Sequence, residues 1–220
     1  MADKELTAKL KVLARFNQNF SKDKRNPFYY YYFNRVFVHN DIMFATDGHI
    51  FCYTKNITDN KDFSFWYGKE LAYLDKNDES VQEVSKALAD GEKLEKIIGV
   101  FNHSNLSFDI DLTDFIFPVK LCVSWSYRYT EYCTIDTENQ ELIFNFSGGK
   151  DELGGVTATY EEVITGVTGD KVKFTLPIWY ILEIMRVTKT KKLHFECYTD
   201  RQHATCKVNE YTFLMMMETI

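Results

Sequence analysis

The chain has 220 residues, 45% of them hydrophobic and 16% aromatic, which is enough to bury a sizeable core and too much Phe and Tyr for a disordered chain. A formal net charge of −6 excludes a surface that is basic throughout, though not a basic strip on an acidic body. Five scattered cysteines (Cys52, Cys122, Cys133, Cys197 and Cys206) lack any C-x-x-C spacing, so neither a disulfide framework nor a zinc ribbon is expected, and a reducing cytoplasm suits them.

In chain order, residues 3 to about 20 are expected to form an amphipathic helix. Leu6, Leu10, Leu13 and Phe16 or Phe20 make its apolar stripe, and Lys4, Lys11 and Arg15 make a basic one. No apolar run at the N-terminus resembles a signal peptide, and none reaches the length of a membrane span, so a soluble cytoplasmic protein is expected. "FYYYYFNRVFVHN" and "DIMFATDGHIFCYTK" are strand-like runs joined by a turn at Asn40-Asp41. "FSFWY" adds a strand leading into a helix from about Lys69 to Asp75, and "SVQEVSKALADGEKLEK" has the pattern of further helix. "KIIGVF", "LSFDID" and "DFIFPVKL" are three short strands, with Pro118 marking an edge or strand end.

The second half repeats this order. "EYCTID", "QELIFNF" and "GVTATYEEVITGV" are strands, "KVKFTLP" leads into the helix "IWYILEIMRVTK", and "KLHFECYT", "HATCKVN" and "YTFLMMMET" close the chain. "NDIMFA" precedes "QELIFN" by about one hundred residues. Two related units follow, 1–122 and 123–220, with the boundary near Cys122 to Ser126. "SGGKDELGG" is a loop between strands; Lys150 is followed by acid and strand, unlike a phosphate loop.

The Thr-Asp-Gly-His tetrad at 46–49 admits three meanings. Asp47 and His49 lie two apart on a strand and could form an acid-base pair, yet no recognisable nucleophile or metal-ligand spacing accompanies them. Asp-Gly could instead make a tight hairpin turn, leaving a strand of about five residues. The third meaning is the wall of a binding groove, in which Gly48 lets a partner backbone approach.

"MFATDGHIFCYTK" resembles the "ATDGHRLA" signature of bacterial sliding clamps, the β subunits that tether replicative DNA polymerase III to its template. The surrounding "FYYYYFNRVFVHNDIMFATDGH" and "KIIGVFNHSNLSFDIDLTDFIFPVKL" are similar to strands of the clamp's middle domain. "YCTIDTENQELIFNF", "LPIWYILEIMR" and "TFLMMMETI" are similar to its last domain. Ile50 stands where the signature has arginine, Met216 where the ending has proline, and there is room for two of the clamp's three domains.

The resemblance implies an α+β fold of two DNA-clamp-like, processivity-fold domains, with antiparallel sheets and helices on one face. It implies a non-enzymatic processivity factor in DNA replication, without cofactor or metal, of reduced size as in a phage or mobile element. Partner peptides of polymerases would be held in an inter-domain pocket by Phe33, Thr46, Gly48, His49, Phe51, Met215 and Met217. Three adjacent methionines suit such an adaptable apolar groove. Double-stranded DNA would be held without sequence preference by Lys4, Lys11, Arg15, Arg186 and Lys189, with Lys191 and Lys192 beyond the helix end, and copies of the chain could close a ring. The rivals are a clamp-like peptide-binding adaptor that makes no ring, and an unrelated enzyme using Asp47 and His49.

Overall fold

The computed structural model describes residues 4–16, 35–39, 41–47, 49–55, 57, 63–67, 71–74, 104–111, 113, 132–148 and 156–219. The chain divides into two compact units: Met1–Asn102 with Asn209–Leu214, and His103–Val208 with Met215–Ile220. The crossing at Asn102–His103 lies upstream of the expected boundary, and Cys122 to Ser126 fall outside the described residues.

In unit 1, helix α1 (Lys4–Leu13) continues as a 3-10 turn, Ala14–Phe16. Five strands follow: β1 (Arg35–His39), β2 (Ile42–Thr46), β3 (Ile50–Thr54), β4 (Phe63–Tyr67) and β5 (Leu71–Leu74). They form an antiparallel sheet in which β3-β2-β1-β4-β5 are neighbours. The turn at Asp41 has φ 61°, a left-handed conformation that Asp tolerates, and it sets the register His39 to Ile42.

Two expectations change here. The segment read as helix from Lys69 is strand β5, registered against β4 with Tyr73 opposite Phe65. Seven residues cannot repay helix nucleation, whereas a hairpin partner satisfies their backbone at once. The run from Ile42 to Lys55 is a second hairpin, with Thr46 opposite Phe51, so the tetrad is its turn. The runs "SVQEVSKALADGEKLEK", "KIIGVF" and "DFIFPVKL" lie outside the described residues.

The core of unit 1 uses both sides of its sheet. Leu10, Leu13 and Phe16 are buried, and the 3-10 turn brings Phe16 within 5.1 Å of Phe213, ring centre to ring centre. Phe213 lies on β14 (Tyr211–Met216), whose first four residues belong to this unit and which neighbours β3. Along β2 and β3, Met43, Ala45 and Cys52 share one face, while Phe44, Phe51 and Tyr53 share the other. On that second face Phe37, Phe44 and Phe51 stack in a row at 5.5 Å spacings.

Unit 2 is built from two antiparallel sheets. One orders β10 (Thr165–Gly169), β6 (Leu106–Asp111), β12 (Lys192–Tyr198) and β13 (His203–Val208). The other orders β15 (Glu218–Thr219), β11 (Lys173–Pro177), β7 (Tyr132–Asp136), β8 (Glu141–Gly148) and β9 (Val156–Val163). Phe108 of the first sheet touches Phe174 of the second, with centroids 5.9 Å apart, and stacks on Phe195 at 5.3 Å. Helix α2 (Ile178–Thr188) buries Ile178, Tyr180, Ile181, Ile184 and Met185 and packs on β7.

The run read as one strand, "GVTATYEEVITGV", is two strands in different sheets. Ile164 is the corner, fully buried, its N–H donating to the Gln140 carbonyl at 3.0 Å. At the other end of β10, Gly169 has φ 93°, and a Cβ there would stand 1.9 Å from the Asn105 carbonyl oxygen. Only glycine fits that approach.

Candidate binding surfaces

The tetrad's conformation follows from one carboxylate. Asp47 is 1% exposed, and its Oδ1 accepts hydrogen bonds from the backbone amides of His49 at 3.0 Å and Ile50 at 3.1 Å. The Thr46 hydroxyl closes the turn from the other side, donating to the Ile50 carbonyl at 2.7 Å. This is an Asx turn, in which the side chain supplies the acceptors that the bend takes from the ladder.

The same device recurs in unit 2. Asp136 Oδ1 accepts from the amides of Glu138 at 3.1 Å and Asn139 at 3.0 Å, while Oδ2 accepts from the Asn139 side chain at 3.0 Å. These bonds, the Asn139 amide foremost, hold the Asp136 carboxyl below its ordinary pKa, and Lys173 adds to the effect.

Around the turn, Thr46 and Phe51 are half-buried, and His49 stands exposed beyond the bend. Phe51 touches Phe44 and Tyr53, at 5.5 and 5.9 Å between ring centres, so the hairpin presents an aromatic step beside a polar rim. Cys52, one residue on, faces the other way, donates to the Ala45 carbonyl at 3.6 Å and is fully buried. Burial, with the Asp47 charge behind it, pushes its thiol well above the usual range, so it is inert. Phe33 and Gly48 lie outside the described residues.

The C-terminal segment is a feature of unit 2. Met215 is 0% exposed and Met217 2%, whereas Met216 between them is 52% exposed. The Met217 N–H donates to the Gln202 carbonyl at 2.9 Å, after which Glu218 and Thr219 pair with β11. Residue identity drew attention to Met215 and Met217; alternation sets Met216 on the side opposite Met215, the side it shares with the buried Leu214, and Met216 alone of that pair reaches solvent.

The basic residues divide into two kinds. On α1, Lys4, Ala8 and Lys11 are exposed at a spacing of three to four residues that lines them up on one face, and Arg15 follows, exposed, in the 3-10 turn. Lys9, overlooked in the stripe pattern, is 7% exposed and lies 2.9 Å from Glu5 and 3.1 Å from Glu210. On α2, Arg186 is committed to Glu183: Nε donates to Oε2 at 2.9 Å and Nη2 to Oε1. That pairing raises the Arg186 pKa, so the guanidinium stays charged with a carboxylate held beside it. Lys189 caps the helix in a left-handed conformation, φ 57°, and is exposed, as are Lys191 and Lys192, the latter 3.0 Å from Asp111.

Among the described residues no group of three or more His, Cys, Asp or Glu side chains is arranged to hold a metal ion, and no helix is long and apolar enough to cross a membrane.

In fold the chain is similar to solved bacterial sliding clamps. DNA polymerase III subunit beta from Pseudomonas aeruginosa aligns with a TM-score of 0.61 at 12% identity, covering 100% of this chain and 65% of that one. The DNA polymerase sliding clamp of Caulobacter crescentus aligns at 0.59 and 12% identity, covering 97% and 63%. DNA polymerase III subunit beta from Borrelia burgdorferi, solved in complex with a natural product, aligns at 0.58 and 10% identity, covering 97% and 61%. The chain therefore spans less than two thirds of the length of each. No protein-family model matches the sequence, nor does any curated protein. The architecture is the α+β sliding-clamp fold.

Proposed function

We propose that this chain, which has the fold of the bacterial sliding clamps, works as a non-enzymatic processivity factor: a DNA sliding clamp or a reduced relative of one. The observation that carries this reading is the fold itself, shared over nearly the whole chain. DNA would be held without sequence preference by Lys4 and Lys11 on the exposed face of α1, by Arg15 in the 3-10 turn after it, and by Lys189, with Arg186 contributing less because of Glu183. A partner peptide, such as a polymerase tail, would be held by Thr46, Gly48, His49 and Phe51 at the hairpin turn, with Phe33, and by the segment Met215–Met217.

The catalytic alternative is disfavoured by the hydrogen bonding at Asp47, whose Oδ1 is already spent on two backbone amides. A clamp-like adaptor that binds peptides without encircling DNA is the second reading. It is favoured by the Arg186–Glu183 pair, which leaves α2 with little net positive charge to offer phosphate.

Retention on DNA separates the two. A clamp that closes around DNA stays on nicked circular duplex and runs off once the circle is cut, and its solution mass is a multiple of the chain's. A concentration-independent monomer that leaves both DNAs alike overturns the ring and supports the adaptor.

A further inference from the structure

We propose that Met216 is an oxidation site that switches off peptide capture, its thioether being converted to the sulfoxide by a peroxide. The proposal rests on the peptide-binding reading above and adds its regulation.

The geometry starts from strand alternation. Phe213 and Met215 project to one side of β14 and Leu214 and Met216 to the other. Met215 and Met217 are shut away at 0% and 2% exposure, while Met216 is 52% exposed. The backbone bond from Met217 to Gln202 pins the chain one residue further on, so this exposed side chain has a fixed base.

The other sulfur atoms of the described residues are protected. Met43 and Met185 are buried, as are Cys52, Cys133, Cys197 and Cys206. Burial pushes the Cys133 and Cys206 thiols up to about 12, and those of Cys52 and Cys197 well above their usual range. Peroxide attacks thiolate or exposed thioether, and these cysteines offer no accessible thiolate.

The reaction needs nothing beyond hydrogen peroxide. The sulfur lone pair attacks one peroxide oxygen, an S–O bond forms as the O–O bond breaks, and the departing hydroxide takes up the remaining proton as water. Sulfur loses two electrons and the peroxide gains them. A flexible apolar side chain becomes a polar one whose S=O demands a hydrogen bond that an apolar peptide side chain does not supply. Sulfoxide reductases, drawing on a thiol reductant, reverse the change.

The test uses the full chain, hydrogen peroxide and a fluorescein-labelled hexapeptide with Leu and Phe anchors. Mass mapping of proteolytic fragments is expected to find Met216 oxidised before any other described sulfur. Peptide affinity read by anisotropy is expected to fall about tenfold or more, and to return after treatment with both sulfoxide reductases. In Met216→Leu the ratio of oxidised to untreated affinity should be close to one, whatever its starting affinity. Oxidation confined to Met216 with affinity unchanged overturns the switch, as does a Met216→Leu variant that stays fully peroxide-sensitive. If the untreated chain binds no such peptide, the peptide reading fails and takes the switch with it, while the oxidation map still reports Met216 exposure on its own.

Discussion

Lys9 of α1 and Glu210, which opens the approach to β14, meet at 3.1 Å, and the same ammonium lies 2.9 Å from Glu5. The lysine's side chain is 8% exposed while the two glutamates remain 71% and 49% exposed, so a nearly buried cation is held by solvent-facing anions. Together with the Phe16–Phe213 contact it fastens the first helix to the returning strand of unit 1.

Replacing Lys9 by Met keeps the stem's packing and removes the charge. Because both partners are hydrated, the expected loss is about 1–2 kcal/mol, less than for a fully buried pair. The pH dependence distinguishes charge from packing. Hydrogen bonding to Glu5, opposed by burial and assisted by Glu210, raises the Lys9 pKa above its ordinary 10.5. A raised folded pKa stabilises the fold fully below 10.5, and that contribution is lost as pH climbs through the higher folded value. Chemical unfolding above pH 10.5 should therefore fall more steeply for the native chain than for Lys9→Met; parallel profiles would refute the ion pair.

The Asp47 turn predicts an ordered pair of variants. Asp47→Ala strands two backbone amides and should cost about 1–3 kcal/mol, whereas Asp47→Asn keeps an acceptor and should cost less. For a chain of this length each kcal/mol lowers Tm by roughly 2–4 °C. Equal losses from the two variants would argue that the carboxylate does something other than accept those amides.

Glycine 169 and glycine 166 should respond differently to Ala. Position 169 has φ 93° and a backbone carbonyl where the methyl would go, so Gly169→Ala is expected to cost more than about 2 kcal/mol. At position 166, φ 63°, the obstruction is the Asp109 carboxylate, a half-exposed side chain that must give up or adjust its 2.7 Å contact with His194 rather than a backbone group, so the cost should be nearer the 1–2 kcal/mol of a left-handed residue. Thermal unfolding of both variants settles the order.

Asp111 supplies an acid-side test. Hydrogen bonds from Thr113 and then Lys192 lower its carboxyl from 3.8 to about 2. A depressed folded pKa stabilises above 3.8, and the contribution disappears as pH falls through 2. Asp111→Asn should abolish that part of the acid limb and leave the profile above pH 5 parallel to the native one.

If α1 holds DNA, the double variant Lys4→Gln, Lys11→Gln should reduce the slope of log affinity against log salt by about 1.8, two phosphate contacts' worth. An unchanged slope places the DNA elsewhere on the chain.

The Asn40-Asp41 hairpin and the N-terminal helical pattern were legible in the sequence because each is written locally. Leu10, Leu13 and Phe16 are spaced for one face, Asn40-Asp41 has turn chemistry, and "KLHFECYT" alternates as β12 does. Non-local choices were not legible. Nothing within "LAYL" distinguishes a short helix from a strand until β4 supplies its partner, and nothing in "EEVITG" announces a change of sheet. At the candidate site, residue types drew attention to Asp47 and the methionines, but their roles depended on direction: Asp47 turns its oxygen onto its own backbone, and Met216 turns away from the core its neighbours enter.

The buried corner at Ile164 bears on how this chain can vary through evolution. β9 before it and β10 after it each keep fixed partners in different sheets, with Glu141 facing Val163 on one side and Asp109 facing Thr165 on the other. Substitutions along the exposed flanks, such as Glu161 or Thr165, leave that phase intact. A single inserted or deleted residue would shift one strand by one step against its partner and turn its side chains to the opposite face. Lineages of this protein should therefore vary in residue type at the exposed positions 161, 163, 165 and 168 while conserving the number of residues between the two pairings.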